Sequence, residues 1–129
     1  EGQRLIEDKI TYRFYGPSRG DIVIVHGPES DRRLVKRIIG LPGDVIDMRD
    51  GKLYLNGREL YEPYVKGKTY PNGMKLPYTV PAHKVFVMGD NREVSLDSRS
   101  PEIGPIDLNS IEGKIIFRIW PLSKFGTID

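Results

Sequence analysis

The sequence predicts a mainly β domain: an antiparallel, barrel-like set of short strands with one or two short helices. Three observations carry that prediction. Apolar residues recur with period two rather than 3.6 along most of the chain. The 129 residues include 14 Gly and 10 Pro, so turns are frequent and the elements between them short. Asp50-Gly51 and Asn56-Gly57 each separate alternating apolar segments, and both pairs tolerate the positive φ of a tight hairpin.

The elements come in this order. Leu5-Ile6 through Phe14 reads as a strand that ends at Gly16-Pro17-Ser18. Asp21 to Val25 is a β-branched run bounded by Gly20 and Gly27-Pro28, and Arg33 to Ile39 is a second strand, stopped by Gly40-Leu41-Pro42-Gly43. Val45–Met48, Lys52–Leu55 and Arg58–Leu60 form a meander through the two hairpin turns. Residues 62–81 hold four prolines and three tyrosines and read as an extended excursion. Lys84–Met88 and Lys114–Trp120 are two more strands. Residues 107–112 predict one short helical turn, with Asp107 as cap and Gly113 as stop. One domain over residues 1–129 is expected, and that length suffices for a real core.

Composition narrows the function classes. With 38% hydrophobic and 29% charged residues the chain is of the soluble globular class. A net charge of +2 gives no argument for nucleic acid. Without cysteine there is neither a disulfide framework nor a thiolate metal site, which is compatible with an extracytoplasmic protein. His26 and His83 lie far apart with no ligand spacing around them, so no metal is expected. No apolar run approaches the roughly 18–20 residues of a membrane helix, and no signal peptide is visible. The first residue is Glu rather than Met, so a fragment of something longer is expected.

Two segments carry candidate chemistry. In Leu34-Val35-Lys36-Arg37-Ile38-Ile39, alternation sets Lys36 with Leu34 and Ile38, and Arg37 with Val35 and Ile39. One of two adjacent cations must therefore face the apolar side unless the strand is an edge or bulged. A lysine among aliphatic groups is desolvated, which favours the neutral amine and makes it a usable general base. The alternative is a Lys36 that snorkels to water with its stem on the sheet. The second segment, Met88 to Ser100, turns from an apolar strand into Gly89-Asp90-Asn91-Arg92 and then Ser95, Asp97, Ser98 and Arg99. Asp97 and Arg99 can form a charge-assisted pair. Such a pair either stiffens a solvated loop or backs a hydroxyl such as Ser95 that is aimed at a base.

Three ordered segments together resemble a known family: Gly20–Val25, Lys36-Arg37-Ile38-Ile39-Gly40-Leu41-Pro42-Gly43-Asp44, and Gly89-Asp90-Asn91-Arg92-Glu93-Val94-Ser95-Leu96-Asp97-Ser98-Arg99. They are similar to the boxes of bacterial type I signal peptidases, membrane-anchored serine peptidases that cut signal peptides from exported preproteins. The tail from Gly104-Pro105-Ile106 through Gly113 to Pro121 also resembles that family, so the likeness spans nearly the whole chain. The short excursion at 62–81 matches the compact form without a large inserted domain.

The resemblance implies a Ser–Lys dyad without cofactor or metal, with Lys36 as general base. Ser95 falls on the hydroxyl that orients the lysine, and Asp97 and Arg99 on the supporting pair; Asp90 and Arg92 are expected to be structural. It implies signal peptides and a membrane surface as partners, no nucleic acid, and a catalytic domain on the extracytoplasmic face of the cell membrane. Ile24, Leu34 and Val35 are candidate walls for the small residues of a signal peptide lying beside the Leu34–Lys36 strand; the alternative is that they are ordinary core. Trp120, Pro121, Leu122 and Phe125 are candidates for bilayer contact. The family's Ser-Met-x-Pro-Thr-Leu nucleophile segment does not occur in this sequence, and residues 1–9 resemble the stretch immediately downstream of it. Ser18, Ser30, Ser98, Ser100, Ser110 and Ser123 do not match the nucleophile position. The expectation is a chain that starts just after its nucleophile and is inactive as it stands. Two other readings are a self-cleaving repressor-type Ser–Lys domain, against which the full Gly-Asp-Asn-Arg…Asp-Ser-Arg box argues, and a non-catalytic β-barrel binding module.

Overall fold

A computed structural model describes residues 5–8, 16–26 and 33–118 of the chain. Among these residues ten strands form two antiparallel sheets. They are β1 (Leu5–Asp8), β2 (Ile22–His26), β3 (Arg33–Gly40), β4 (Val45–Arg49), β5 (Lys52–Leu55), β6 (Arg58–Glu59), β7 (Tyr78–Thr79), β8 (Lys84–Met88), β9 (Ile106–Asp107) and β10 (Ile111–Arg118). The larger sheet has the order β1-β10-β2-β3-β8-β9 and the smaller one β6-β5-β4-β7.

Period-two patterning explains how the layers meet. In β8, Val85 and Val87 point into one core, with Val23, Val25, Ile38 and Ile106. Phe86 and Met88 point into the other, with Ile39, Ile46, Met48, Leu53 and Val80. The larger sheet is therefore apolar on both faces at its centre, and the β4–β5 hairpin covers one of them. A strand buried on both sides reads as the continuous apolar run seen in Lys84–Met88.

The two hairpin turns form as the sequence predicts. Asp50 and Gly51 have φ of 52° and 76°, and Asn56 and Gly57 have 52° and 86°. The Gly40–Asp44 turn is tied by its own acidic residue. Asp44 accepts the Leu41 N–H at 2.7 Å, the Asn56 side-chain amide at 3.1 Å and two bonds from Arg19 at 2.7 and 2.6 Å. Burial by itself would raise this carboxyl, but these donors outweigh it and hold Asp44 down at about 2.

Several expectations need correction. The predicted helix at 107–112 is a single 3-10 turn, Leu108–Ser110. Asp107 occupies the cap position, yet its carboxylate takes the Lys84 amine at 2.7 Å instead of a helix N–H. Gly113 does not stop a helix; it lies inside β10 opposite Ile24, beside a register shift. That strand starts at Ile111 rather than Lys114, because pairing with β2 outweighs the cap signal. Two-residue strands β7 and β9 were not predicted. Residues 9–14 of the predicted first strand and residues 119 and 120 of the last lie outside the described residues.

Candidate active site

Lys36 sits in the middle of β3, and the alternation conflict seen in the sequence is resolved inward. The residue is 3% exposed. Its cross-strand partner on β2 is Val23 at 0%, and its neighbours along the same face are Leu34 and Ile38. Arg37 takes the opposite face. It forms a bidentate pair with Asp90 at 2.9 and 2.8 Å, donates to the Gly20 carbonyl at 3.1 Å, and lies 3.7 Å over the Tyr64 ring.

The loop after β8 brings Ser95 to the lysine. Lys36 Nζ donates to Ser95 Oγ at 3.1 Å. The same oxygen accepts the Gly89 N–H at 3.1 Å. That N–H is shared with Asp97 Oδ2 at 3.2 Å. Ser95 Oγ thus accepts from two donors, and the Ser95 hydroxyl also helps to hold the Asp97 carboxyl down.

Asp97 and Arg99 are an almost fully enclosed ion pair, each side chain 1% exposed. Arg99 donates Nε to Asp97 Oδ1 and an amino group to Oδ2, both at 2.9 Å. Its remaining donors reach the Tyr70 and Arg92 carbonyls, each at 2.9 Å. Burial pushes the Asp97 carboxyl up, but the bonds and charge of Arg99, the Arg99 N–H and the Ser95 hydroxyl more than offset it, so the group is held below its ordinary value.

A second buried layer lies behind the loop. The Arg92 side chain is wholly enclosed and donates to the Gly89 carbonyl at 2.8 Å, Thr69 Oγ1 at 3.0 Å and both Glu62 oxygens at 3.0 and 2.6 Å. Tyr64 donates its hydroxyl to Glu62 at 3.2 Å. Burial, reinforced by the Glu62 charge, pushes the Tyr64 phenol up to about 12, so it stays a donor at any working pH. Sequence reasoning missed Glu62 and Tyr64. The available signal was the demand of Arg37 for partners on the face opposite Lys36.

The structure brings Lys36, Ser95, Asp97 and Arg99 together through these contacts. Asp90 and Arg92 hold the loop through Arg37 and Glu62. Of the three candidate pocket residues, only Leu34 shares the face of Lys36. Ile24 and Val35 are cross-strand partners of each other, and alternation sets them on the face of Arg37. Ser98 is turned into the fold, its Oγ accepting the Val87 N–H at 2.9 Å. Ser30, Ser123, Trp120, Pro121, Leu122 and Phe125 lie outside the described residues. His83 is exposed with φ of 64°. Among the described residues no group of three His, Cys, Asp or Glu side chains is placed to hold a metal, and no helix is long and apolar enough to cross a membrane.

Comparison with known proteins places the chain in a family. The family described as signal peptidase, peptidase S26, matches residues 1–120. Signal peptidase I of Bacillus licheniformis is 42% identical over 138 residues, covering 100% of this chain and 73% of that protein. Signal peptidase IB of Staphylococcus aureus strain N315 is 37% identical over 141 residues, covering 97% and 72%. The crystal structure of a signal peptidase I from Enterococcus faecalis V583 superposes with a TM-score of 0.66 at 35% identity, over 77% of this chain and 96% of that one. The match over most of the length, in sequence and in fold alike, means that the chain belongs to the signal peptidase family, peptidase S26.

Proposed function

We propose that residues 1–129 form a single catalytic domain in which Lys36 is the general base of signal-peptide cleavage. Family membership makes the protein a serine endopeptidase of signal-peptide removal. The observation that carries the assignment of the base is the 3.1 Å contact between a nearly inaccessible Lys36 amine and Ser95.

The mechanism rests on the hydrogen-bond directions. Lys36 Nζ donates to Ser95 Oγ, which fixes where the amine points. A neutral amine at this position can take the proton of an incoming hydroxyl. Burial favours that neutral form. Lys36 takes the proton of the nucleophilic serine, the serine oxygen attacks the scissile carbonyl, and the lysine returns the proton to the departing amine. Water, deprotonated by the same lysine, then releases the acyl-enzyme. Ser95 itself is not the nucleophile: its oxygen is already engaged by Gly89, Lys36 and Asp97.

The substrate would lie along β3. That strand pairs with β8 only from Arg37 onward, so Leu34–Lys36 has a neighbouring strand on its β2 side alone among the described residues. An extended peptide can add there by backbone pairing, with Leu34 against a small side chain near the cut. Ile24 and Val35 would touch only residues pointing to the other side. Signal peptides of exported preproteins are the proposed substrates, cut at the membrane surface by a domain on the extracytoplasmic face.

The test is cleavage of a synthetic signal peptide by the full product of the gene in detergent, beside its Lys36→Ala variant, with mass spectrometry locating the cut. Cleavage after a small residue that vanishes in Lys36→Ala is the expected result. Equal cleavage by both proteins refutes the role of Lys36.

A further inference from the structure

We propose that Glu62 and Tyr64 are positioning residues that set the contact between Lys36 and Ser95 from behind. The proposal rests on the reading of Lys36 as the base, and it concerns a segment whose sequence suggested only an extended excursion.

The two members of the contact ride on different elements, Lys36 on β3 and Ser95 on the loop after β8. One tripeptide, Glu62-Pro63-Tyr64, grips both. The Tyr64 ring lies 3.7 Å beneath the Arg37 guanidinium. Arg37 is the next residue after Lys36, so fixing its side chain on one face fixes the rotation of β3 that aims Lys36 at the other. Glu62 takes both terminal nitrogens of Arg92, whose Nε holds the Gly89 carbonyl at 2.8 Å. The N–H of that same Gly89 is what Ser95 Oγ and Asp97 accept. The Tyr64 hydroxyl closes the circuit on Glu62 at 3.2 Å. Backbone bonds lock the segment to the loop: Lys66 N–H to the Asp90 carbonyl at 2.8 Å, and Arg92 N–H to the Lys66 carbonyl at 2.9 Å. The distance between amine and hydroxyl is therefore the difference between two positions that a single segment holds. Glu62 and Tyr64 act through Arg37, Arg92 and Gly89, and touch neither the lysine nor the serine in the contacts described.

Two readouts test this. The first is steady-state cleavage of a signal peptide by the full gene product. Tyr64→Leu removes the ring under Arg37 and should lower kcat about tenfold to a hundredfold, with KM unchanged within about twofold. Glu62→Asp, which keeps the charge but withdraws it by one methylene, should lower kcat to a smaller extent. Tyr64→Phe keeps the ring and should retain most of kcat. Tyr61→Ala, at an exposed neighbouring site, should change nothing. The second readout is NMR of the 129-residue chain carrying 13C at lysine Cε, with the Lys36 signal assigned by its loss in Lys36→Arg. That signal should move in Tyr64→Leu and Glu62→Asp and stay put in Tyr61→Ala. If folded Tyr64→Leu and Glu62→Asp proteins keep the wild-type kcat and the wild-type Lys36 signal, the proposal is overturned and the segment is only structural. If the wild-type protein cleaves nothing while the Lys36 signal still moves, the peptidase reading fails and the positioning of the amine stands.

Discussion

Removing the guanidinium of Arg99 should cost a large part of the stability of this domain, by an amount that depends on pH. Arg99→Ala strands the Asp97 carboxylate, whose side chain is 1% exposed, with two backbone N–H groups and Ser95 as its remaining donors. It also leaves the Tyr70 and Arg92 carbonyls without their donor. Breaking a buried pair from one side costs about 3–5 kcal/mol, against a total of about 5–15 kcal/mol for a domain. Urea unfolding followed by far-UV circular dichroism reads this directly. With a slope of about 1–3 kcal/mol per molar urea, the midpoint should fall by about 2 M. The pH dependence carries the mechanism. In the wild type the Asp97 carboxyl is held below its ordinary value of 3.8, so its contribution is full above that value and is lost as pH falls through the lower, folded-state one. Without Arg99 only part of what opposed burial remains, and the carboxyl rises toward its neutral form. The gap between wild type and variant should therefore be widest near neutrality and close as the pH drops below about 4. A gap smaller than about 1 kcal/mol, or one that stays level from pH 7 to pH 3, refutes the claim that this pair is a desolvated charge couple.

Three further outcomes are expected. Ser95→Ala should lower kcat of the full gene product about tenfold to a hundredfold with KM little changed, since it frees the Lys36 amine without touching the peptide edge; steady-state kinetics check it. Asp44 contributes stability that is complete above 3.8 and lost as pH falls toward about 2, because its folded value is the depressed one. Asp44→Ala should then cost about 2 kcal/mol near pH 7 and little at pH 2, and Arg19→Ala less than about 1 kcal/mol at either, because the Arg19 side chain is half exposed; urea titrations at the two pH values read both. Gly40→Ala should destabilise by about 1–3 kcal/mol, because its new Cβ would lie 3.0 Å from Ile46 Cδ1 and 3.1 Å from Val80 Cγ2; the thermal unfolding midpoint checks it.

Local chemistry made part of this structure legible in the sequence. The two hairpins arise from residues that accept positive φ, at Asp50-Gly51 and Asn56-Gly57. The tension at Lys36-Arg37 comes from alternation alone. Which cation turns inward does not, because that depends on Val23 across the sheet and on Asp90 and Tyr64, more than 25 residues away. The pairing of Ser95 with Lys36 was reached through likeness to a family, since no local rule relates residues 59 positions apart. Strands β7 and β9 have two residues each and, unlike the equally short β6, no tight Asn-Gly or Asp-Gly turn beside them to announce them. At 107–113 a cap-and-stop pattern competed with pairing to β2, and the pairing won. Which of Ile24, Leu34 and Val35 shares a face with Lys36 is set by register: Leu34 does, while Ile24 and Val35 pair with each other on the face of Arg37.

The central strand β8 sends Val85 and Val87 to one core and Phe86 and Met88 to the other. Neither layer can open while the other stays closed, because each would drag half of β8 out of its packing. The amides of this strand should thus exchange with solvent only through whole-molecule unfolding. The loop that carries Ser95 and Asp97 begins one residue after the strand ends. Ser98 stitches it back through both the N–H and the carbonyl of Val87. The Ser95 hydroxyl that meets Lys36 is consequently attached beside the strand expected to melt last, and their contact should persist until the whole domain unfolds.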